Sequence, residues 1–186
     1  MENNNLDLDF DKISSQILGE LDEAQKAGKN VPESVWAPGI PSNLKEEDKV
    51  KKDELLSMAV DYLMINVVIK YGFKIEPGFP RSDFPNIMMK KDGVKYAVIV
   101  APSIYPQYIT IDDKSRLNVV DMSKKAGVVT LFAPVGYRSV DSDRAKAGLL
   151  LKGDLYLTTF PGFIELNDQP HQSLSVRDAT FWRPKL

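Results

Sequence analysis

Cysteine is absent from this chain of 186 residues, and histidine occurs once, as His171. These two facts exclude disulfides, thiolate metal sites, cysteine nucleophiles and every metal site built from several histidines. Long apolar runs are also missing, since no stretch approaches the roughly 20 residues that a membrane-spanning helix needs. The N-terminus is polar and acidic, unlike a secretory signal. The composition therefore predicts a globular, cytoplasmic protein that does not contact membranes.

Charge is present in both signs, and it is spread unevenly along the chain. The net charge of −2 gives no general nucleic-acid signature. Residues 1–30, the acidic leader, hold seven acids and three lysines, a net charge of −4, so the rest of the chain carries +2. Apolar residues in the acidic leader recur at spacings of three and four, which predicts an amphipathic helix. They are Leu6, Phe10, Ile13, Ile17, Leu21 and Ala24.

Three prolines interrupt residues 31–43, so we expect an ordered crossing there and neither a helix nor a central strand. The predicted organisation is an N-terminal helix and proline-rich crossing over 1–43, a core domain over 44–166 and a C-terminal tail over 167–186. The N-terminal helix should pack on its own body, because a short helix needs a partner surface in water. A second copy of the chain is the alternative partner.

The core domain begins with a helical pattern. We predict a long helix over about 44–71, capped by Ser42 or Asn43 and ended by Gly72. A short strand should follow over 73–75. A second helix is predicted over about 113–126, and its inward residues should be Leu117, Val120, Met122 and Ala126. Residues 128–135 read as a buried strand, residues 141–150 as a helix, and residues 154–166 as a hairpin around Pro161-Gly162.

The most informative stretch is the hairpin signal Asp92-Gly93 between two apolar runs. A two-residue turn there pairs Lys91 with Val94 and, further on, places Asn86 opposite Ile99. Both faces of this hairpin carry apolar residues, which predicts an interior hairpin covered on two sides. A helix between the hairpin and the next apolar strand implies a parallel crossover. The predicted fold class is therefore α/β, with a mixed central sheet flanked by helices.

This element order, the hairpin register and the Pro85-Asn86 position resemble the core of the PD-(D/E)xK superfamily, the restriction-endonuclease-like fold. In that family an Asp and a second acid hold magnesium, and a Lys orients the attacking water. The resemblance maps these groups onto Asn86, Ile99 and Ala101 of this chain. None of the three can supply the required group, so the resemblance implies a degenerate member that is not an enzyme and binds no metal or other cofactor.

The leading interpretation is thus a non-catalytic binding or scaffolding protein, with an unknown protein partner or with itself. One alternative is a divergent metal-dependent nuclease with a relocated site, for which Glu54 and Asp83 are the candidate acids. Another is a small-ligand-binding protein that uses the former active-site cleft. A candidate aromatic and basic contact surface consists of Tyr105, Tyr108, Arg116, Lys124, Tyr137 and Arg138. Nucleic acid is a further candidate partner, although the charge does not indicate it.

Overall fold

The structure is a computed structural model that describes residues 23, 34–76, 85–107 and 111–169. Several of the predictions fall outside these residues. They concern the N-terminal helix, Asp83, Tyr108 and the C-terminal tail beyond residue 169.

The described residues form a mixed sheet flanked by helices, so the predicted α/β class is confirmed. The helices are α1 (Lys52–Leu63), which continues as a π-helix over Met64–Ile69, α2 (Asp113–Ala126) and α3 (Ser142–Lys146). The strands are β1 (Lys74–Ile75), β2 (Ile87–Lys91), β3 (Val94–Ile104), β4 (Val129–Ser139), β5 (Tyr156–Thr159) and β6 (Ile164–Glu165). The strand order is β1-β2-β3-β4-β5, and β6 also pairs with β4. No helix in the described part of the chain is long and apolar enough to cross a membrane.

The β2–β3 hairpin forms in the predicted register. Lys91 pairs with Val94 and Ile87 with Val98. The turn residues Asp92 and Gly93 have φ of 50° and 84°, in the left-handed region that a tight two-residue hairpin turn requires. Asp-Gly accepts that backbone at little cost, so the turn fixes which side chains share each face.

Helix α2 has the predicted bounds, because both of its ends carry strong local signals. The side chain of Asp112 accepts a hydrogen bond from the Ser115 N–H, and Gly127 ends the helix with φ of 64°. The predicted inward face is wrong except at Val120. Leu117, Met122 and Ala126 are exposed, whereas Arg116, Val120 and Ser123 are buried. The buried face is thus rotated, and a hydrogen-bonded arginine occupies the place that apolar spacing assigned to leucine.

The long helix predicted over 44–71 is wrong in its first third. Residues Glu46–Asp48 form a 3-10 turn, and α1 begins only at Lys52. The reason is tertiary, since Val50 N–H donates to Leu150 O at 3.0 Å and Lys152 N–H donates to Asp48 O at 2.9 Å. Backbone pairing with a distant segment holds Lys49, directly after the 3-10 turn, extended. The predicted stop at Gly72 is confirmed, with φ of 73°.

The predicted hairpin at Pro161-Gly162 is also wrong. Val140 N–H donates to Leu155 O at 2.9 Å, just before β5, and β6 pairs Ile164 with Phe132. Both short strands therefore lie on β4, and the Pro-Gly pair interrupts the chain between them without reversing it. The helix predicted over 141–150 is limited to Ser142–Lys146, since Gly148 takes φ of 65°.

The chain divides into two compact units. Among the described residues, the first unit comprises 23, 34–50, 104–106 and 137–158, and the second comprises 51–76, 85–103, 107, 111–136 and 159–169. A buried ion pair between Arg144 and Asp154 lies in the first unit. An apolar cluster that includes Ala101, Val120 and Phe132 lies in the second. The predicted boundaries after residues 43 and 166 stay predictions.

Candidate functional site

The first candidate site is the hairpin position that the resemblance maps to a catalytic aspartate. The Asn86 N–H donates to Val98 O at 3.0 Å, and its side-chain Oδ1 accepts from the Val100 N–H at 2.8 Å. The amide oxygen that could have faced a metal is therefore bound to the neighbouring strand of the same hairpin. Asn86 acts here as a side-chain extension of the sheet pairing.

The two other mapped positions belong to the core of the second unit. Ala101 is 7% exposed and is one of a cluster of buried apolar residues, and Ile99 packs against that cluster. The other buried members are Val120 from α2, Phe132 from β4, Ile164 from β6 and Leu166. A catalytic acid and lysine at these positions would need water and a metal ion beside them. The side chains around Ile99 and Ala101 are instead apolar, so a charged group there would be buried without a partner.

The relocated acids do not form a described metal site. Glu54 Oε2 accepts the Lys51 N–H at 2.8 Å, which places the Glu54 carboxylate at the N-terminal end of α1. A carboxylate there satisfies a free backbone donor and interacts favourably with the helix dipole. Asp83 lies outside the described residues. Within residues 34–76, 85–107 and 111–169, no three His, Asp or Glu side chains converge in a way that could hold a metal ion.

Three residues of the predicted aromatic and basic surface come together in the first unit. Tyr105 N–H donates to Tyr137 O at 2.8 Å, and the Arg138 guanidinium carbon lies 4.9 Å from the centre of the Tyr105 ring. Tyr137 also meets Tyr156 edge to face, with ring centres 5.5 Å apart. Tyr137 and Arg138 are buried. These contacts make a packed aromatic cluster with a cation on it, in which only Tyr105 and Tyr156 have substantial exposure.

Arg116 contradicts the prediction of an exposed contact residue most clearly, because its side chain has 0% exposure. Its guanidinium donates to Asp113 Oδ1 at 3.0 Å and to Gln169 O at 2.9 Å, and it also donates to Asn167 O. A guanidinium needs several acceptors to be buried without a large penalty, and these provide them. Arg116 therefore connects α2 to the segment after β6 by hydrogen bonds.

Lys124, on the exposed side of α2, forms an ion pair with the same segment. Its Nζ lies 2.6 Å from Asp168 Oδ2, and this hydrogen bond and charge hold the pKa of the Asp168 carboxyl below its usual value. Both side chains are largely exposed, so the pair contributes little energy of its own. Tyr108, the last predicted contact residue, lies outside the described residues.

Sequence reasoning missed the buried ion pair of the first unit. Arg144 Nε and Nη2 each donate to a different oxygen of Asp154 at 3.1 Å. Asp154 also accepts from the hydroxyls of Ser34 at 3.2 Å and Ser139 at 2.7 Å. Arg144 Nη1 also donates to Ala37 O, and this hydrogen bond connects the proline-rich crossing to the ion pair. The only sequence signal is one arginine and one aspartate flanking the apolar run 149–151, which is too weak to predict pairing.

Comparisons with known proteins give one match, to a family model. No curated protein and no solved structure matches the chain. The family model described as "Domain of unknown function (DUF8840)" matches residues 53–166. The matched segment runs from the start of α1 to just after β6 and covers more than half of the chain. The protein therefore belongs to the DUF8840 family.

Proposed function

We propose that this protein is a non-catalytic, cytoplasmic binding or scaffolding protein whose core is a degenerate form of the PD-(D/E)xK fold. The observation that carries the proposal is the packing of Ile99 and Ala101 against Val120, Phe132 and Ile164. Side chains that would have to face a metal and its water in an active family member instead fill a hydrophobic core.

The order of the elements supports the same proposal. Helix α1 leads to β1, then to the β2–β3 hairpin, then to α2 and to β4. This is the order that the resemblance implied. The hairpin register supports it further, since Ile87 pairs with Val98 as the sequence predicted and Asn86, just before β2, hydrogen-bonds to β3 at Val98 and Val100. The mapping of the three catalytic positions depends on that register, because a shift of one residue would move every side chain to the other face.

Two alternative functions have less support from the described residues. A relocated nuclease site needs at least two converging carboxylates, and Glu54 is engaged by the Lys51 backbone at 2.8 Å. A ligand in the former cleft needs an open surface at Ile99 and Ala101, and Ala101 is 7% exposed. Binding through the outer surface of the protein agrees better with both observations.

Metal titration together with a nuclease assay tests the proposal. We expect no heat of specific binding when Mg²⁺ or Mn²⁺ is titrated into the purified full-length protein, and no nicking of supercoiled plasmid with either ion. Asp83→Asn and Glu54→Gln serve as matched controls, because each removes one candidate ligand charge. Metal-dependent nicking that copurifies with the protein and disappears in either variant would show that the chain is a divergent nuclease.

A further inference from the structure

Three lysines lie directly opposite one another across the first three strands of the sheet. Lys74 of β1 pairs with Lys90 of β2, and Lys90 pairs with Lys95 of β3. All three are exposed. Adjacent strands are about 4.8 Å apart, so the lysine row is a line of three ammonium-bearing side chains across one face of the sheet. The other neighbouring lysine, Lys91, points to the opposite face, where its Nζ donates to Tyr71 O at 2.9 Å.

The lysine row is an unfavourable arrangement for folding alone. Like charges at directly opposed positions of neighbouring strands destabilise a sheet. Glu76 compensates one of them, since its Oε1 lies 3.2 Å from Lys95 Nζ. Among the described residues no carboxylate forms an ion pair with Lys74 or Lys90, although Asp92 lies in the adjacent turn, two residues after Lys90. The patch therefore keeps a net positive charge.

The place of the lysine row in the sheet adds accessibility to this charge. Strand β1 stands at the end of the strand order, and Lys74 is exposed at that end of the lysine row. An end strand that carries exposed charge of one sign is a surface that a segment of opposite charge can cover.

The sequence itself contains such a segment. Residues 2–11 carry four acids and no base. Three of the acids, Asp7, Asp9 and Asp11, alternate with Leu6, Leu8 and Phe10. We infer that the lysine row binds the acidic segment 2–11 of a second copy of this chain.

Carboxylates fit the lysine row better than phosphates do. Arginine forms the bidentate pairs that are typical of phosphate and nucleic-acid recognition, and the row contains none. A lysine ammonium is a compact charge that can bind a carboxylate in many geometries. Because each copy carries both the acidic segment and the lysine row, two copies can exchange segments reciprocally and close a two-fold dimer. The inference does not depend on the absence of catalysis.

A charge-reversal exchange tests the inference with the full-length protein. One variant carries Lys74→Glu and Lys90→Glu. A second carries Asp7→Lys, Asp9→Lys and Asp11→Lys. The control variant carries Lys114→Glu and Lys146→Glu, two exposed lysines elsewhere, and changes the net charge as much as the first does. Sedimentation velocity over a range of protein concentration and salt measures association, and circular dichroism checks that each variant is folded.

We expect the natural protein to form a dimer that weakens with salt, because exposed charges are screened. Each of the first two variants should raise the dissociation constant by about tenfold or more, which corresponds to about 1.4 kcal/mol, and the control should change it far less. Mixing the two variants should restore a one-to-one heterodimer, since the mixture again pairs opposite charges in both contacts. A protein that stays monomeric at every concentration, or a mixture that does not associate, would overturn the inference.

Discussion

Introducing at position 101 the lysine that the PD-(D/E)xK resemblance maps there should damage the protein and not activate it. Ala101 is 7% exposed and belongs to a buried cluster with Val120, Phe132 and Ile164. Ala101→Lys adds a long stem to a filled core and buries an ammonium group without a partner. Overpacking alone costs about 1–3 kcal/mol. Ala101→Met adds a stem of similar length without charge, so it measures that part separately.

The charge should cost more than the stem. Burial lowers the pKa of a lysine by up to about 3–5 units, and one unit corresponds to about 1.4 kcal/mol. At neutral pH we therefore expect Ala101→Lys to be about 4 kcal/mol less stable than Ala101→Met. For a chain of this length that difference lowers the melting temperature by about 8–16 °C. Val94→Lys, at an exposed position of the same strand, should change stability by less than about 1 kcal/mol.

Urea unfolding of the three variants between neutral and alkaline pH measures these differences. The pKa of a buried lysine is lower in the folded state than in the unfolded state, so the unfolded state binds more protons and stability rises with pH. The gap between Ala101→Lys and Ala101→Met should therefore narrow towards pH 10. Equal stability of the two variants at neutral pH would refute the assignment of position 101 to the core, and with it the main support for the proposed function.

Two further predictions concern the first unit. Asp154→Ala should lower the free energy of unfolding by about 3–5 kcal/mol, because it leaves the Arg144 guanidinium buried without its carboxylate. In urea unfolding, the double variant Arg144→Met, Asp154→Leu should recover most of this loss. A double variant as unstable as Asp154→Ala would contradict this explanation. Burial raises the pKa of Asp141, but hydrogen bonds from the Arg144 and Gly39 N–H groups and the Arg144 charge outweigh it and hold that pKa below 3.8. The stability that the Asp141 carboxylate contributes is thus present above pH 3.8 and is lost as pH falls below it. The melting temperature of Asp141→Asn should therefore depend less on pH in the acid range than that of the natural protein. Identical pH dependence of the two melting temperatures would show that the Asp141 carboxylate is not the source of this acid sensitivity.

Local sequence signals predicted the parts of the fold that local chemistry decides. The Asp92-Gly93 turn fixed the hairpin register because only one strand pairing fits a two-residue turn. Asp112 and Gly127 fixed the ends of α2 for a similar reason, since each satisfies a backbone requirement within four residues.

Contacts between distant segments decided the parts that the sequence did not predict. Residues 48–50 look like a helix start, but they pair with the backbone of residues 150–152. Arg116 looks like a surface cation, but its carbonyl acceptors lie more than fifty residues further along the chain. No periodicity within α2 contains that information, so apolar spacing assigned the buried face to Leu117 and Met122 instead.

The two buried arginines also bear on where an autonomous fragment of this family can be cut. The matched segment spans residues 53–166, yet each arginine binds main-chain carbonyls outside it. Arg144 reaches back to Ala37 and Gly39, and Arg116 reaches forward to Asn167 and Gln169. A fragment trimmed to the matched limits would enclose two guanidinium groups while removing part of what neutralises their burial. The smallest self-sufficient folding unit is therefore longer than the family match at both ends.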